Sequence, residues 1–296
     1  MTPDLSAVPQ AAPGRSAAEY IAGIEKLSLL RHTSLPYGGQ MTWRVWQSDP
    51  ALPVLLLFHG GGGSWLHWVR NVVPLSRHFT LMVADLPGLG DSDPPDDLKD
   101  ICSVARGVAH GIDQIVPAGR GYDICGFSFG AIVGAHVSTL VDQRLRSVVL
   151  TGPGGLELSE KPWAPPVPMK ASMAPDELVN AARRNLEILM LADPAQVDGV
   201  AIYSQIAGVL SARTKSRHMS RTWMLSKCLP QVTTRMHAIW GELDVTAHPY
   251  MHEREALLRK YQPDIAFRVI PGAGHWVAYE KADQFNETLV GLIGGK

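Results

Sequence analysis

Apolar residues fall along this chain in two rhythms. Val54 to Phe58 (VLLLF) is apolar at every position, as a strand buried on both faces requires. Phe79 to Ala84, Tyr122 to Cys125, Ser147 to Leu150, Met236 to Trp240 and Ala266 to Ile270 are further short apolar blocks of strand character. Leu27 to Leu35 and Gln40 to Gln47 alternate apolar with polar residues around Tyr37-Gly38-Gly39, which predicts a hairpin. Helical spacing occupies Ser16 to Lys26, Trp65 to Arg77, Ile101 to Val116 and the stretch from Ala131 onward. Strands alternating with helices predict a parallel sheet covered on both faces.

The alternation stops after Thr151. Proline and glycine crowd Gly152 to Pro168, and Pro175 to Leu229 is helical in pattern without a strand. The expectation is an α/β core over residues 16–152 and 232–296, interrupted by a helical insertion at 153–231. Such an insertion over the carboxyl end of the sheet would be a cap or lid. Residues 1–15, rich in proline and alanine, are expected to form a flexible tail.

Composition narrows the class. The 296 residues are 46% hydrophobic and 19% charged, with a net charge of -1, as in an ordinary globular protein. Neither a basic field for nucleic acid nor a strongly acidic one is present. The longest strongly apolar run is far too short to span a bilayer, and the N-terminus lacks the apolar core of a secretory signal. Three cysteines, Cys102, Cys125 and Cys228, have neither metal-ligand nor redox spacing. A cytoplasmic protein acting on a small molecule is expected, with no nucleic-acid or membrane partner and a homodimer left open.

Chemistry gathers in loops that follow predicted strands. Gly126 to Gly130 (GFSFG) stands between a strand and a small-residue helix, the setting in which G-x-S-x-G lifts a serine hydroxyl out of the sheet. Serine is a weak nucleophile at neutral pH and needs a base, which in turn needs an orienting group. His275, in the glycine-marked loop PGAGHW, is the base candidate. Asp244, just past the strand ending at Trp240, is the orienting acid, with Glu242 as a rival better placed to support its own loop. The negative charge that develops on the substrate oxygen needs donors. The amide of Phe129 is one, and Gly61 or Gly62 in HGGGG (59–63) is the other. No Lys-Ser/Thr pair follows this glycine run, so it is not a phosphate loop.

Taken together, HGGGGSWLHW (59–68), DLPGLGDS (85–92), GFSFGA (126–131), WGELD (240–244) and GHW (274–276) resemble the α/β-hydrolase superfamily. The resemblance implies an eight-stranded, mostly parallel sheet with helices on both faces, a helical cap, and a Ser128–His275–Asp244 triad that uses no cofactor or metal. Within the superfamily, HGGGG, the cap and GHWxxxE are most similar to hydrolases that cleave a carbon–carbon bond in ring-opened aromatic acids. Phe127 stands where that group carries asparagine, Phe129-Gly130-Ala131 where it carries Met-Gly-Gly, and a proline is missing from the glycine-rich loop.

The implied reaction is cleavage of an ester or of a carbon–carbon bond beside a ketone in a small, largely apolar or aromatic-derived substrate. A ligand-binding protein on the same scaffold, or a cofactor-free lyase-type relative, is the alternative. Trp65, Trp68, Phe127, Phe129 and Trp276 flank the expected site and could line an apolar pocket, or pack in the core. In the insertion, Trp163, Met169, Met173, Met190 and Trp223 offer apolar surface. Arg183 and Arg184 are candidates for pairing with a substrate carboxylate, although a solvated helix face is the simpler account. His248 and His252, four apart, are expected on a solvated helix face without metal, Cys125 in packing, and Asp85 and Ser92 as braces of their loop.

Overall fold

A computed structural model describes residues 8–12 and 14–294. Eight strands form one sheet in the order β1-β2-β4-β3-β5-β6-β7-β8. They are β1 Leu29–Ser34, β2 Gln40–Trp46, β3 Val54–Phe58, β4 Thr80–Ala84, β5 Tyr122–Phe127, β6 Leu145–Thr151, β7 Arg235–Gly241 and β8 Ala266–Ile270. The β1–β2 and β2–β4 pairs are antiparallel and every other pair is parallel. The carboxyl ends of β3 to β8 therefore share one edge, and the loops that leave them meet there.

The apolar block of β3 is buried at every residue, and its side chains alternate between two cores. Val54, Leu56 and Phe58 join one cluster, Leu55 and Leu57 the other. Full burial of each such side chain contributes roughly 1.5–3 kcal/mol before entropy is counted. The first cluster is covered by α3 (Ile101–Ile115), α4 (Phe129–Val137) and α9 (Met251–Tyr261). The second is covered by α1 (Ala17–Glu25), α2 (Val72–Leu75), α10 (Val277–Glu280) and α11 (Ala282–Ile293).

No strand lies between residues 153 and 231 among the described residues. The segment holds α5 (Pro175–Asn185), a π-turn at Leu186–Met190, a 3-10 turn at Pro194–Gln196, α6 (Gly199–Ser211), α7 (Ser216–Ser220), α8 (Met224–Cys228) and a 3-10 turn at Leu229–Gln231. Leu178, Ile202 and Ile206 of α5 and α6 belong to the second cluster, whereas Met219 and Leu225 of α7 and α8 belong to the first. Residues 153–231 thus contribute to the cores on both faces of the sheet.

Three local expectations change. The helix expected over Trp65 to Arg77 is a 3-10 turn at Trp65–Trp68 followed by the short α2. Pro74 lacks the N–H that a continuous helix would bond to the Arg70 carbonyl, so the pattern breaks ahead of it. His248 lies before α9 in the turn around Pro249, and only His252 stands on the helix, so the two histidines do not share a face. Finally, residues 8–12 are docked. Val8 and Ala11 pack on the second cluster, and a Cβ on Gly199 would stand 1.9 Å from the Pro9 carbonyl. Residues 1–7 and 13 of the expected tail lie outside the described residues. No helix among the described residues is long and apolar enough to cross a membrane.

Candidate active site

Ser128 leaves β5 with φ 52° and ψ -110°, and it is the only non-glycine residue with positive φ among the described residues. That conformation costs on the order of 1–3 kcal/mol and persists only where the surroundings enforce it. They do. The Ser128 amide donates to the Thr151 carbonyl at 2.8 Å. A Cβ on Gly126 would stand 2.3 Å from the Gly130 carbonyl oxygen, and one on Gly130 2.3 Å from that of Phe58. The turn closes only because both positions are bare, and α4 starts immediately, at Phe129 instead of Ala131.

Two and three strands further along the sheet, the loops after β7 and β8 deliver Asp244 and His275. His275 Nε2 lies 3.0 Å from Ser128 Oγ, and Nδ1 lies 2.9 Å from Asp244 Oδ2. Asp244 is fully buried, and its Oδ1 accepts from the Thr246 amide at 2.9 Å and hydroxyl at 2.8 Å. The carboxylate is thereby fixed by one oxygen and aimed with the other. Glu242 sits apart, exposed, accepting from the Gly272 amide at 2.9 Å, so it braces its loop.

The structure adds supports whose roles the sequence did not disclose. Gly152, at φ +49°, borders the Asp–His pair: a Cβ there would approach Asp244 Oδ2 to 3.2 Å and His275 Nδ1 to 3.5 Å. Arg254, 3% exposed, donates to the carbonyl of Thr246 at 2.8 Å and that of Ser159 at 2.6 Å, tying the Asp244 turn to the start of the insertion. Glu280, 5% exposed, accepts from the Gly274 amide at 2.6 Å, the Ala192 amide at 3.2 Å and the Asp193 amide at 2.7 Å. One buried carboxylate therefore joins the loop of His275 to the insertion, and the Trp276 amide adds a 2.7 Å bond to the Met190 carbonyl.

On the other side of Ser128, Gly60 to Gly63 make a turn closed by a 3.2 Å bond from the Gly63 amide to the Gly60 carbonyl. The Gly60 amide donates to His67 Nδ1 at 3.0 Å. The amides of Gly61, Gly62 and Phe129 have no acceptor among the described residues. A Cβ on Gly61 would lie 3.5 Å from that of Phe129, so the glycine turn and the elbow are in contact. Gly61 is exposed and Ser128 half-buried, whereas Phe129 is fully buried.

Two buried histidines shape this turn. His59 Nε2 accepts from the Leu86 amide at 3.0 Å, with Nδ1 2.8 Å from the Gly60 carbonyl. Burial holds both His59 and His67 below the ordinary histidine pKa, His67 further down still by the nearby His59 and His275. Asp85 adds a third anchor, accepting from the Trp65 amide at 2.8 Å, from Arg44 at 3.0 Å and from the Asp91 amide at 3.1 Å. Ser92 accepts from the Thr42 amide at 2.8 Å and donates to the Asp85 carbonyl at 2.5 Å, so this pair braces its loop.

The expected pocket side chains are placed otherwise. Trp68, Phe127, Phe129 and Trp276 are at most 1% exposed and Trp65 is 4% exposed, so none lines an open cavity. Phe127 is wedged between His67 and His275, its ring centroid 5.5 and 5.0 Å from theirs. Trp276 stacks on Tyr279 and donates to the His67 carbonyl at 2.8 Å, Trp65 lies against Trp46, and Trp68 against Phe285. Arg183 donates to the Val197 carbonyl at 3.3 Å, and Arg184 pairs with Glu187 at 3.5 Å, so the hydrogen bonds of both arginines stay within the insertion. Met190 is buried, Met169 and Met173 pack on the second cluster, Trp163 lies under Arg221, and Trp223 is half-exposed.

A surface groove of about 540 Å³ lined by Tyr20, Arg70 and Glu280 to Gln284 contains none of the three hydrogen-bonded residues. The hydrogen-bond geometry, not that groove, marks the site. Cys125 is buried and its thiol is pushed up to about 12, consistent with packing. No group of three His, Cys, Asp or Glu residues that could hold a metal occurs among the described residues.

Comparison with known proteins identifies the family. The sequence model of the alpha/beta hydrolase family matches residues 54–288, and the chain belongs to that family. It is 24% identical to a 2-hydroxy-6-oxo-6-phenylhexa-2,4-dienoate hydrolase of Burkholderia cepacia, over 81% of this chain and 87% of that one. It is 28% identical to the dihydrolipoyllysine-residue acetyltransferase component of an acetoin cleaving system from Cupriavidus necator, again over 81% of this chain but only 63% of that longer protein. Among solved structures, a putative aryl esterase from Burkholderia cenocepacia superimposes with a TM-score of 0.72 at 20% identity, covering 90% of this chain and 98% of its own.

Proposed function

We propose that this protein is a cofactor-independent serine hydrolase in which Ser128, His275 and Asp244 act as a triad. The carrying observation is the single imidazole within hydrogen-bond reach of both a strained serine and a buried carboxylate. Ser128 Oγ attacks the substrate carbonyl as His275 Nε2 takes its proton, and Asp244 steadies the imidazolium that results. The oxyanion accepts from the Phe129 amide and from Gly61 or Gly62. Protonated His275 then delivers its proton to the leaving oxygen or carbon, and water repeats the sequence to free the acid.

The substrate class is a small, largely apolar acyl compound, either a carboxylic ester or a ketone cleaved at the adjacent carbon–carbon bond. The solved neighbour titled an aryl esterase and the relative named a dienoate hydrolase support one arm each. Residues 153–231 serve as the cap, and their helices on both faces of the sheet edge support that reading. Ser128→Ala should abolish turnover of both an aryl ester series and a ring-opened dienoate ketone, and should abolish labelling by a fluorophosphonate probe. Undiminished turnover in that variant would overturn the mechanism. The ratio of the two wild-type rates assigns the bond cleaved.

A further inference from the structure

The segment that leads into α7 carries a hydroxyl to the oxyanion side of the site. Thr214 Oγ1 donates to the Pro87 carbonyl at 2.7 Å, the amides of Arg213 and Thr214 both donate to the Gly88 carbonyl at 2.8 and 3.1 Å, and the Lys215 amide donates to the Leu98 carbonyl at 2.8 Å. A Cβ on Gly88 would stand 2.2 Å from Thr214 Oγ1, so the two chains are in tight contact. The residue that follows these four bonds is Ser216. It is 5% exposed, and its Oγ lies 2.8 Å from the point where a Cβ on Gly61 would stand.

That same point is 3.5 Å from Phe129 Cβ, so the hydroxyl sits beside Gly61 where the glycine turn meets Phe129; the amides of Gly61 and Phe129 are among those assigned to the substrate oxygen. Its neighbours are committed elsewhere, Thr214 to Pro87 and Thr222 to the Met219 carbonyl at 2.7 Å. Among the described residues the Ser216 hydroxyl has no hydrogen-bond partner. The hydroxyl belongs to a residue that is almost wholly buried and is held by backbone contacts on the residues before it, yet its own donor is uncommitted. The residue it abuts, Gly61, is one of those assigned to the substrate oxygen in the proposed reaction.

We propose that Ser216 is a catalytic residue, donating a hydrogen bond from the cap to the oxyanion beside the two backbone donors. The inference rests on the serine-hydrolase reading. It adds that the hole is complete only when the segment 213–216 is seated on the loop at 87–88. It also explains Gly61: any side chain there would displace the hydroxyl.

The test is Ser216→Ala beside Ser216→Thr, with an ester substrate and with a trifluoromethyl ketone that forms a tetrahedral adduct on the nucleophile. Loss of one preorganised donor should lower kcat on the order of 10²-fold while KM moves less than about threefold. Affinity for the trifluoromethyl ketone should fall in parallel, and Ser216→Thr, which keeps the hydroxyl, should restore most of both. A fall in kcat of less than about threefold in Ser216→Ala, or a change confined to KM, overturns the proposal. If Ser128→Ala is inactive while Ser216→Ala is not impaired, this inference alone fails. If Ser128→Ala still turns over, the hydrolase reading fails and takes the inference with it.

Discussion

The two sides of the site are built by different means. Asp244 and His275 emerge from β7 and β8, and every polar atom they present is engaged and buried. The glycine turn opposite them is held by His59, His67 and Asp85 from beneath, and its Gly61 and Gly62 amides are left open. In the proposed mechanism an acid–base pair has to be aimed before substrate arrives, which a sealed pair achieves, and an oxyanion site has to stay unpaired until charge appears, which rigidity supplied from behind allows. Residues 153–231 meet both sides, through Ala192 and Asp193 on Glu280 at one and through Ser216 beside Gly61 and Gly208 beside Gly62 at the other.

Substitutions that weaken one side and spare the other sharpen this contrast. The largest effect belongs to Asp244→Asn. An amide cannot hold the imidazole in the same tautomer, so kcat should fall about 10³- to 10⁴-fold with little change in KM. Steady-state kinetics at several pH values checks this, and a loss below about tenfold would mean that Asp244 does not orient the base.

Next comes Glu280→Gln. The amide keeps one acceptor oxygen but turns an NH₂ toward backbone N–H groups, leaving buried donors unpaired at a cost of about 1–3 kcal/mol. Thermal unfolding should report that loss, and kcat should drop more than KM rises, because the loop that moves carries His275. A variant with normal stability and kcat would separate the cap from the base.

The smallest and broadest effect is on pH. Burial holds His59, His67, His136 and His237 below the ordinary value of 6.5 in the folded protein. Between those lowered values and 6.5 the unfolded chain binds more protons, so stability falls as pH drops from about 6.5. The melting temperature should decline over that window. His67→Gln, whose carbonyl oxygen can still accept from Gly60, should flatten part of the decline. An unchanged pH slope in that variant would mean that His67 is not held neutral.

The strands and three of the site loops were legible in the sequence because glycine and proline mark where each apolar block ends. VLLLF followed by HGGGG, and the strand to Trp240 followed by GELD, admit few alternative readings. The break ahead of Pro74 was equally available from proline chemistry, but the helical spacing of Trp65, Trp68 and Val69 obscured it.

Side-chain direction was not legible. Trp65, Trp68 and Phe127 adjoin the motifs in sequence, yet neighbouring residues of a strand or turn point to opposite sides. The core claimed all three. Gly152 acts through contacts with Asp244 and His275, far away in the chain, and GHWxxxE marks Glu280 without recording its bonds to Ala192 and Asp193.

The start of α4 at the residue after Ser128 has a further consequence. The peptide dipoles of a helix sum to about half a positive charge at its first turn, and in the proposed mechanism that turn adjoins the developing anion. This field arises from aligned peptide units and not from any particular side chain. Phe129 and Ala131 can therefore replace methionine and glycine without loss of the electrostatic environment, provided that Gly126 and Gly130 keep the turn closed. Drift in the motif's bulky positions retunes packing around the serine and leaves its polarising field intact.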